Sequence, residues 1–450
     1  MVKYKFRNMS GIKELDLLGL TQFNRVGVAI SGGIDSLSLL NLLVDLLGKS
    51  SIHALHVNHG ISQDSDDWES HCRDASEEIG IEFHSWKINQ TEVTSNSEAN
   101  LRKKRYEFLT SWANHNDVIC TAHHLDDQIE TILFRLFRGT GINGMQGIKQ
   151  KTIMNNVKIQ RPFLSLSKDS IKEYAVSKNI KWIEDKSNLL SNYDRNYIRN
   201  DIIPLVNLRW PSYQESIIKF SKSAKTANKL HNEIADNDLA RVKVNNLTTL
   251  SLDHLTKLSE ERAKNLLHRW IWLLSNKLIE SVVVNEIYHN VIQAREDACP
   301  QVVIGKINLA GSYEIRRYEG YLYAIPYSEK GQQNFSSSYS WDLLSSLSLP
   351  TGKLRVKKVF GKGIKVDKYS KVEVRGRVGG ESVRLSNKKR SKSLKKFFQE
   401  KHIPPWMRNR MPLIYLNNEL AAIGSLWIDE KYVAASKDPG IEIDWKDSTL

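Results

Sequence analysis

Length, charge and hydropathy limit the classes of protein to which this chain can belong. Its 450 residues are too many for one ordinary core and indicate two to four domains. The 65 lysines and arginines against 51 aspartates and glutamates give a net charge of +14, which favours a polyanionic partner, although a basic enzyme without one fits equally well. The sequence has no apolar run of about 18 residues and no signal-like N-terminus, so we expect a cytoplasmic protein that does not cross a membrane.

The first predicted elements are a strand, a glycine-rich turn and a helix. The apolar run Val26–Ile30 stops at two adjacent glycines, and a helical leucine pattern extends from Ser36 to Leu47. N–H groups in such a turn can point at an anion, which the helix dipole also attracts. The predicted phosphate-binding residues are Ser31, Gly32, Gly33, Ile34, Asp35 and Ser36. Asp35 could hold Mg²⁺ or act on the reacting group, whereas the simpler interpretation is a turn capped by Asp and Ser side chains.

A second strand and a basic helix come next along the chain. The apolar run Ile52–Val57 ends in polar residues against which a nucleotide base could lie. These candidate base-binding residues are His56, Asn58 and His59. The helical stretch Glu98–Tyr106 carries Arg102 and Arg105, whose charges could neutralise phosphates. A solvated helix face would explain the same basic pattern.

An acidic cluster follows the third predicted strand, Val118–Ala122, where a helix begins. Its polar residues are His123, His124, Asp126, Asp127 and Glu130. Asp127 and Glu130 share one helical face, and carboxylates beside a polyphosphate could hold Mg²⁺ or bind the ammonium group of an amine. Helix capping by these acids is the alternative. Because strands alternate with helices, we expect an α/β fold with a doubly wound parallel sheet and ligands at the carboxyl ends of its strands.

The rest of the chain is divided by its composition into further regions. Apolar spacings of three and four between Ser212 and Ile292 predict a separate helical domain. A stretch rich in Ser, Gln, Asn and Gly from Ser328 to Ser348 predicts a linker. The expected domains are a catalytic α/β domain at 1–211, a helical substrate-binding domain at 212–335 and a small basic α+β domain at 349–450.

The C-terminal region is strongly basic. From Lys353 to Arg410 the cations greatly outnumber the acids, as on a surface that contacts a phosphate backbone. Around one predicted helix, Leu394–Glu400, the aromatic residues Phe397, Phe398 and Trp406 interleave with lysines and arginines, which suits RNA contact by stacking and charge. Packing in the domain core is the alternative, and it is the more common fate of such aromatic side chains.

Several of these motifs resemble those of known enzymes. The loop Ser31–Ser36 resembles the Ser-Gly-Gly-x-Asp-Ser signature of the PP-loop ATP pyrophosphatase family, whose members cleave ATP between its α and β phosphates. One branch fits more closely, the tRNA(Ile)-lysidine synthases. Motifs of this sequence that resemble the N-terminal domain of these synthases lie at Asn58–Gly60, Glu98–Tyr106, His123–Thr131 and Arg138–Gly141, and at 187–199 ahead of Pro204. Motifs that resemble the C-terminal domain of the same synthases lie at 374–381, 393–398 and 403–408.

The resemblance implies an activity and a set of partners. Members of this family adenylate the carbon-2 oxygen of the wobble cytidine in the CAU anticodon of tRNA(Ile), and L-lysine then displaces AMP. We therefore expect ATP and Mg²⁺ as cofactors, with tRNA(Ile) and L-lysine as substrates; a homodimer is one of the expected assemblies.

The resemblance also implies roles for individual residues. The reaction centre is expected to contain Asp35, Asp127 and Glu130, with Arg102 or Arg105 near the phosphates. Lysine or Mg²⁺ is expected at His123, His124, Asp126, Asp127 and Glu130, with Asp35 and Asp127 as the predicted Mg²⁺ ligands. The predicted tRNA contacts are Arg195, Arg199, Arg375, Arg377, Lys395, Lys396 and Arg408.

Three other classes of protein fit less well. A PP-loop tRNA thiolase usually needs a cysteine pair or an iron–sulfur cluster, but Cys72, Cys120 and Cys299 are scattered. A synthetase of the GMP or asparagine type needs a glutaminase domain with a cysteine nucleophile, for which the sequence offers no segment. A non-catalytic RNA-binding protein is disfavoured because every polar position of the glycine-rich loop is retained.

Overall fold

The computed structural model describes eleven stretches of the chain. They are residues 19–60, 64–88, 98–184, 194–244, 246–295, 298, 300–305, 312–327, 337–365, 371–384 and 391–447. Cys299, most of the 187–199 motif and the first part of the predicted linker lie outside the described residues. The chain forms two compact units, Met1–Lys229 and Leu230–Leu450, whose boundary falls inside one long helix.

A six-stranded sheet forms the centre of the first unit. Its strands, in chain order, are β1 Val26–Ile30, β2 Ile52–Asn58, β3 Glu82–Lys87, β4 Val118–Cys120, β5 Lys151–Met154 and β6 Val157–Gln160. The spatial order is β3-β2-β1-β4-β6-β5, and every pair is parallel except the β5–β6 hairpin. All seven residues of β2 are buried, as expected for a parallel strand covered on both faces.

Helices cover both faces of this sheet, which confirms the predicted doubly wound α/β fold. The helices of the unit are α1 Ile34–Leu47, α2 Ser65–Ile79, α3 Glu98–Trp112, α4 Leu125–Phe137, α5 Ile142–Met145, α6 Lys168–Ser177, α7 Asp194–Tyr197, α8 Ile203–Arg209 and α9 Tyr213–Val242, which continues into the second unit. One apolar core joins β1 to side chains of α1, α2 and α6. A second core, on the opposite face of β2, contains Tyr106, Leu109 and Trp112 of α3.

The sheet topology determines where a ligand can bind. From β1 the chain runs first outward to β2 and β3 and later returns to β4 on the other side of β1. The loops that follow β1 and β4 therefore diverge and leave a crevice at the carboxyl ends of these strands. Both predicted polar clusters, Ser31–Ser36 and His123–Glu130, begin at this crevice.

The middle of the chain combines helices with a sheet that the sequence analysis did not predict. Its helices are the end of α9, α10 Leu252–Leu255, α11 Glu260–Ser275, α12 Ser281–Glu286 and a π-helical segment Ile287–Ile292. Its antiparallel sheet has the order β7-β8-β11-β10-β9. The strands are β7 Lys243–Val244, β8 Asn246–Ser251, β9 Gln301–Ile304, β10 Tyr313–Tyr318 and β11 Tyr321–Pro326. The buried Trp270 of α11 belongs to the core between the helices and this sheet.

The C-terminal region is rich in short strands. It contains β12 Tyr339–Ser340, β13 Leu347–Leu349, β14 Gly352–Phe360, β15 Ile364–Lys365, β16 Val372–Arg375, β17 Ser382–Arg384, β18 Ser391–Ser393, β19 Leu413–Leu416, β20 Glu419–Ile423, β21 Trp427–Ile428 and β22 Pro439–Asp447. Its helices are α13 Leu394–Glu400, which confirms the predicted helix, and the short α14 Pro405–Arg408. Phe397 and Phe398 are buried, so these two aromatic side chains form core rather than an RNA surface.

Among the residues that the structure describes, no helix has the length and apolar character needed to cross a membrane.

Candidate active site

The loop between β1 and α1 has the geometry of an anion site. Gly32 has φ +81°, a left-handed conformation that favours glycine. The Ser31 N–H donates to Ser36 Oγ at 3.1 Å, and the Ser36 hydroxyl donates to the Gly33 carbonyl at 2.9 Å. Gly33 is the N-cap of α1, so the N–H groups of the next residues have no carbonyl partner within the helix. These unpaired donors and the helix dipole provide a binding site for a phosphate group.

Asp35 places a carboxylate in the first turn of α1, beside this loop. Its Oδ1 atom is buried and has no hydrogen-bond partner in the described part of the chain. Its Oδ2 atom lies 3.6 Å from Nε2 of His124, which follows β4. A buried carboxylate oxygen without a partner is costly unless a ligand satisfies it. Oxygen ligands beside a polyphosphate are what Mg²⁺ requires, so Asp35 fits the predicted role of Mg²⁺ ligand.

His124 lies among three carboxylates at the start of α4. Its Nδ1 atom lies 3.5 Å from Asp126 Oδ2, and its Nε2 atom lies 3.5 Å from Asp127 Oδ2 and 3.6 Å from Asp35 Oδ2. Burial lowers the pKa of His124, but the interactions with Asp126, Asp35 and Asp127 outweigh burial and raise it to about 10. His124 is therefore a cation at neutral pH, and it lies between the acids of α4 and Asp35 of α1.

Asp126 and Asp127 also cap helices. Asp127 Oδ2 accepts a hydrogen bond from the His124 N–H at 3.0 Å, at the start of α4. Asp126 Oδ2 accepts from the N–H of Lys168, the first residue of α6, at 2.9 Å. The capping alternative raised from the sequence is therefore present at Asp127, whereas Asp126 caps a different helix, α6. It does not exclude a ligand role, because Asp127 keeps a second oxygen, Oδ1, at 3.6 Å from Arg199.

Glu130 forms a buried ion pair that the sequence did not predict. Its Oε1 and Oε2 atoms accept hydrogen bonds from Nε and Nη2 of Arg199 at 2.5 and 2.8 Å. Burial raises the pKa of Glu130, although the charge of Arg199 opposes that rise. Arg199, which was predicted as a tRNA contact, thus lies in the carboxylate cluster, on the π-helical segment Ile198–Ile202. The two partners are 69 residues apart in the chain, so no local pattern could have shown their contact.

A group of arginines lies around His123 and Tyr106. The guanidinium groups of Arg102 and Arg105 lie 5.4 and 5.5 Å from the centre of the Tyr106 ring. Burial and the positive charges of Arg161, Arg105 and Arg102 lower the pKa of His123 to about 2, so this ring is neutral.

Arg161 is a member of this group that the sequence analysis missed. It is buried directly after β6, at the same sheet edge as the glycine-rich loop, and its Nη1 donates to the Lys149 carbonyl at 2.7 Å. The Nε atoms of Arg105 and Arg161 are buried and lack a hydrogen-bond partner within the described ranges. The arginine group therefore offers buried donors to an anion. The signal in the sequence was a basic residue directly after a short segment of alternating apolar and polar residues, Val157–Gln160.

The end of β2 and the loop after it contain one histidine suited to binding a ligand and one asparagine that already has partners. The Asn58 amide donates to Asp66 and Glu69 at 2.7 and 3.0 Å, which ties the loop to α2. His59 Nδ1 is buried and has no partner in the described structure. Burial and the charge of Arg105 lower the pKa of His59 to about 4, so it is neutral. His56 Nδ1 lies 3.1 Å from the Ile30 carbonyl, which joins β2 to β1.

The basic residues predicted to contact tRNA have different surroundings. Lys395 and Lys396 are exposed on α13. Arg375 forms an ion pair with Glu373 and lies over the Tyr415 ring at 4.7 Å. Arg377 and Arg195 also lie beside other side chains. The Nε atom of Arg377 lies 3.9 Å from a Glu381 oxygen, and the guanidinium of Arg195 lies 5.7 Å from the centre of the Phe134 ring.

Arg408 serves the packing of the second unit. Only 9% of it is exposed, and its Nε and Nη2 donate to the Ile403 carbonyl at 2.7 Å and the Tyr318 hydroxyl at 3.1 Å. Trp406, from the same helix, lies against the rings of Tyr318 and Tyr323 with centroid separations of 6.0 and 5.3 Å. Arg408, which was predicted to contact RNA, is thus covered by the β10–β11 hairpin, and little of the Arg408 side chain is left exposed for RNA.

Comparison with known proteins covers most of the chain. A PP-loop domain model matches residues 6–206, a TilS substrate binding domain model matches 250–323, and a TilS substrate C-terminal domain model matches 372–445. The tRNA(Ile)-lysidine synthase of Coxiella burnetii is 33% identical over 431 residues and covers 94% of each chain. That of Legionella pneumophila strain Paris is 33% identical and covers 90% of this chain and 91% of its own, and that of Photorhabdus laumondii is 30% identical and covers 96% of each. The chain belongs to the tRNA(Ile)-lysidine synthase family.

Proposed function

We propose that this protein joins L-lysine to carbon 2 of the wobble cytidine of tRNA(Ile) with a CAU anticodon, with conversion of ATP to AMP and pyrophosphate. One observation carries the proposal beyond family membership. A phosphate loop, an Asp35 carboxylate whose buried Oδ1 has no hydrogen-bond partner in the described part of the chain, and a histidine-linked acidic cluster meet at the sheet's topological switch point. This arrangement suits a reaction that needs both a polyphosphate and a cationic amine.

In the first step the carbon-2 oxygen of the cytidine attacks the α phosphorus of ATP, and the bond to pyrophosphate breaks. The N–H groups at the start of α1 hold the leaving pyrophosphate, and Arg102, Arg105 and Arg161 stabilise the charge that develops on it. Asp35 and Asp127 are the residues that would hold Mg²⁺, which would supply further charge stabilisation to the phosphates. The product of this step is a cytidine that carries AMP on its oxygen.

In the second step the amine of lysine attacks carbon 2, a carbon–nitrogen bond forms, and the carbon–oxygen bond to AMP breaks. The attacking amine must first lose a proton. His124 is unsuited to accept that proton at neutral pH, because its raised pKa keeps it protonated. Its charge instead helps to lower the pKa of Asp126 against the opposing effect of burial, so that this carboxylate can bind the cationic amine of free lysine.

Transfer RNA binding is assigned to charge on the C-terminal region. The exposed Lys395 and Lys396 are the strongest candidates, whereas Arg375 and Arg377 have acidic neighbours that reduce their attraction for phosphate. A cytoplasmic location and a homodimer remain predictions from the sequence and the family resemblance.

The test of this proposal is lysine transfer to defined transcripts. Purified protein, ATP, Mg²⁺ and radiolabelled lysine are incubated with a tRNA(Ile) transcript with a CAU anticodon and with a matched transcript whose wobble cytidine is replaced by uridine. We expect stable labelling of the first transcript alone, with one AMP formed per lysine joined. Equal labelling of both transcripts, or labelling that is lost when ester bonds are hydrolysed, would contradict the proposal.

A further inference from the structure

Three potential metal ligands meet at the end of the sheet opposite the candidate active site. His53 is the second residue of β2, Glu82 is the first residue of β3, and His84 is two residues further along β3. The parallel register pairs His53 with Glu82, so the three side chains share one face of neighbouring strands. The glycine-rich loop follows the carboxyl end of β1, whereas this group lies near the amino ends of β2 and β3.

The ligand atoms of this group lie close together, and one atom from each residue lies within 4.8 Å of the other two. His53 Nδ1 lies 3.2 Å from a Glu82 oxygen, His84 Nε2 lies 3.4 Å from the other Glu82 oxygen, and the two imidazole nitrogens lie 3.4 Å apart. Ligands at about 2.0 to 2.1 Å from a tetrahedral zinc ion are separated by about 3.3 Å. The two imidazole nitrogens thus have the spacing of two corners of a zinc coordination tetrahedron, and each of them lies next to one oxygen of the Glu82 carboxylate.

Hydrogen bonding alone explains this convergence poorly. A separation of 3.4 Å between two ring nitrogens is long for a hydrogen bond, which is normally about 2.7 to 3.2 Å. The nearby cation Arg25 has another partner, because its guanidinium forms an ion pair with the buried Asp117 at 2.5 Å and lies over the Trp112 ring. A metal ion would satisfy both imidazoles and the carboxylate at a single point.

The site is accessible from solvent and supported from within. The side chain of Glu82 is 63% exposed, so an ion and a water ligand can reach the group. His53 packs against Trp112 on the inner side with 5.2 Å between ring centroids, which restrains its ring. Two imidazoles and one carboxylate form a ligand set typical of zinc and related transition metals, rather than of Mg²⁺, which prefers oxygen ligands.

We propose that His53, Glu82 and His84 bind one divalent transition-metal ion of the zinc class, with water as the fourth ligand. The ion would link the edge strand β3 to β2 and stabilise the folded first unit, because a ligand that binds only the native state favours that state. The site is separate from the Mg²⁺ ligands of the proposed reaction, so its occupancy is independent of the proposed function.

The test is zinc binding by the full chain after removal of metal with a chelator. Calorimetric titration with Zn²⁺ is performed with excess Mg²⁺ present, so that the active-site carboxylates are occupied. We expect one zinc site in the unmodified protein, and we expect zinc affinity to fall on the order of a hundredfold or more in His84→Gln, since even the loss of residues that support metal ligands costs 10- to 100-fold. The control His115→Gln removes an exposed histidine of the same unit and should leave zinc binding unchanged.

A second variant and a second metal probe distinguish loss of the metal site from loss of the fold. Glu82→Gln changes an exposed side chain, so the fold should survive while zinc affinity falls. Co²⁺ in place of Zn²⁺ should give the visible absorption of a tetrahedral site in the unmodified protein and in His115→Gln, but not in His84→Gln. Equal zinc affinity in the unmodified protein, His84→Gln and Glu82→Gln would overturn the proposal, as would the absence of zinc binding in the unmodified protein.

Discussion

At the scale of single residues, the unsatisfied oxygen of Asp35 is the feature that most needs a ligand. The substitution Asp35→Asn keeps the shape of the side chain but removes its charge beside the phosphate loop. We expect AMP formation to fall at least a hundredfold, because removal of one preorganised electrostatic interaction with a transition state typically costs that much. Binding of tRNA, measured by filter retention, should stay within about twofold.

A matched control for this substitution lies on the same helix. Asp45→Asn removes a charge at the other end of α1, where Asp45 pairs with Lys178 at 2.7 Å on the surface. This variant should keep the AMP formation rate of the unmodified protein. Comparable losses in both variants would show that the charge of α1, and not the position of Asp35, matters.

The buried pair of Glu130 and Arg199 supports a prediction about coupling. Glu130→Gln leaves the guanidinium with only the more distant carboxylate of Asp127, and Arg199→Gln leaves the buried Glu130 carboxylate without its cation. Each single substitution should lower the free energy of unfolding by about 1.5 to 3 kcal/mol, the typical value of hydrogen bonds to charged groups. The double substitution should cost clearly less than the sum, as measured by denaturant unfolding of all four proteins. Additive costs would exclude a direct interaction.

His124 gives a prediction about pH. Its pKa is raised from the ordinary value of 6.5 to about 10, so its favourable charge interactions are fully present below about pH 6.5 and are lost as the pH rises to about 10. The unfolding free energy of the unmodified protein should therefore decline across this range, and that of His124→Gln should decline less. Denaturant titrations at a series of pH values provide the comparison, and parallel curves for the two proteins would contradict the assigned charge state.

At the scale of elements, helix α13 provides the prediction for RNA binding. Replacing Lys395 and Lys396 together by Ala should weaken tRNA binding and reduce the slope of log affinity against log salt by about two, because each lysine that pairs with a phosphate adds about one to the slope. The matched control replaces Lys362 and Lys431, which belong to the same C-terminal region and already pair with Glu442 and Glu419. The control pair should change the slope by less than about one. Equal slopes for the two double variants would remove α13 from the RNA surface.

Elements with a strong local pattern could be predicted from the sequence, and those with a weak pattern could not. The apolar run before Ser31 and the leucines after Ser36 predicted β1 and α1 close to their observed bounds. The β10–β11 hairpin was missed because its turn, Glu319-Gly320, is not one of the strongest turn signals, although both residues have positive φ. In addition, the helical spacing of α11 dominated the interpretation of that region.

The same contrast holds for the candidate site. Ser31–Ser36 and His124–Glu130 are contiguous motifs at strand ends, so local reasoning located them. The contacts of Arg199 with Glu130 and of Arg408 with Tyr318 join residues 69 and 90 positions apart, and only the folded chain brings them together. Basic residues carry the same sequence signal whether they face RNA, a buried acid or a neighbouring ring, so charge counting alone could not distinguish these surroundings.

At the scale of the whole molecule, the proposed reaction requires that the base of the tRNA, and not lysine, receives AMP from ATP. A phosphate loop next to a cluster of carboxylates is compatible with adenylation of either substrate. The two orders of reaction differ in what each step requires. Base adenylation needs tRNA but no lysine, whereas lysine adenylation needs lysine but no tRNA.

The most direct measurement uses ATP labelled at its α phosphate, incubated with the protein in the absence of lysine. We predict that label becomes attached to tRNA(Ile) with a CAU anticodon, that one pyrophosphate is released for each label attached, and that later addition of lysine releases labelled AMP while lysine joins the tRNA. Asp35→Asn should show neither step. Pyrophosphate release that requires lysine and proceeds without tRNA would contradict the account.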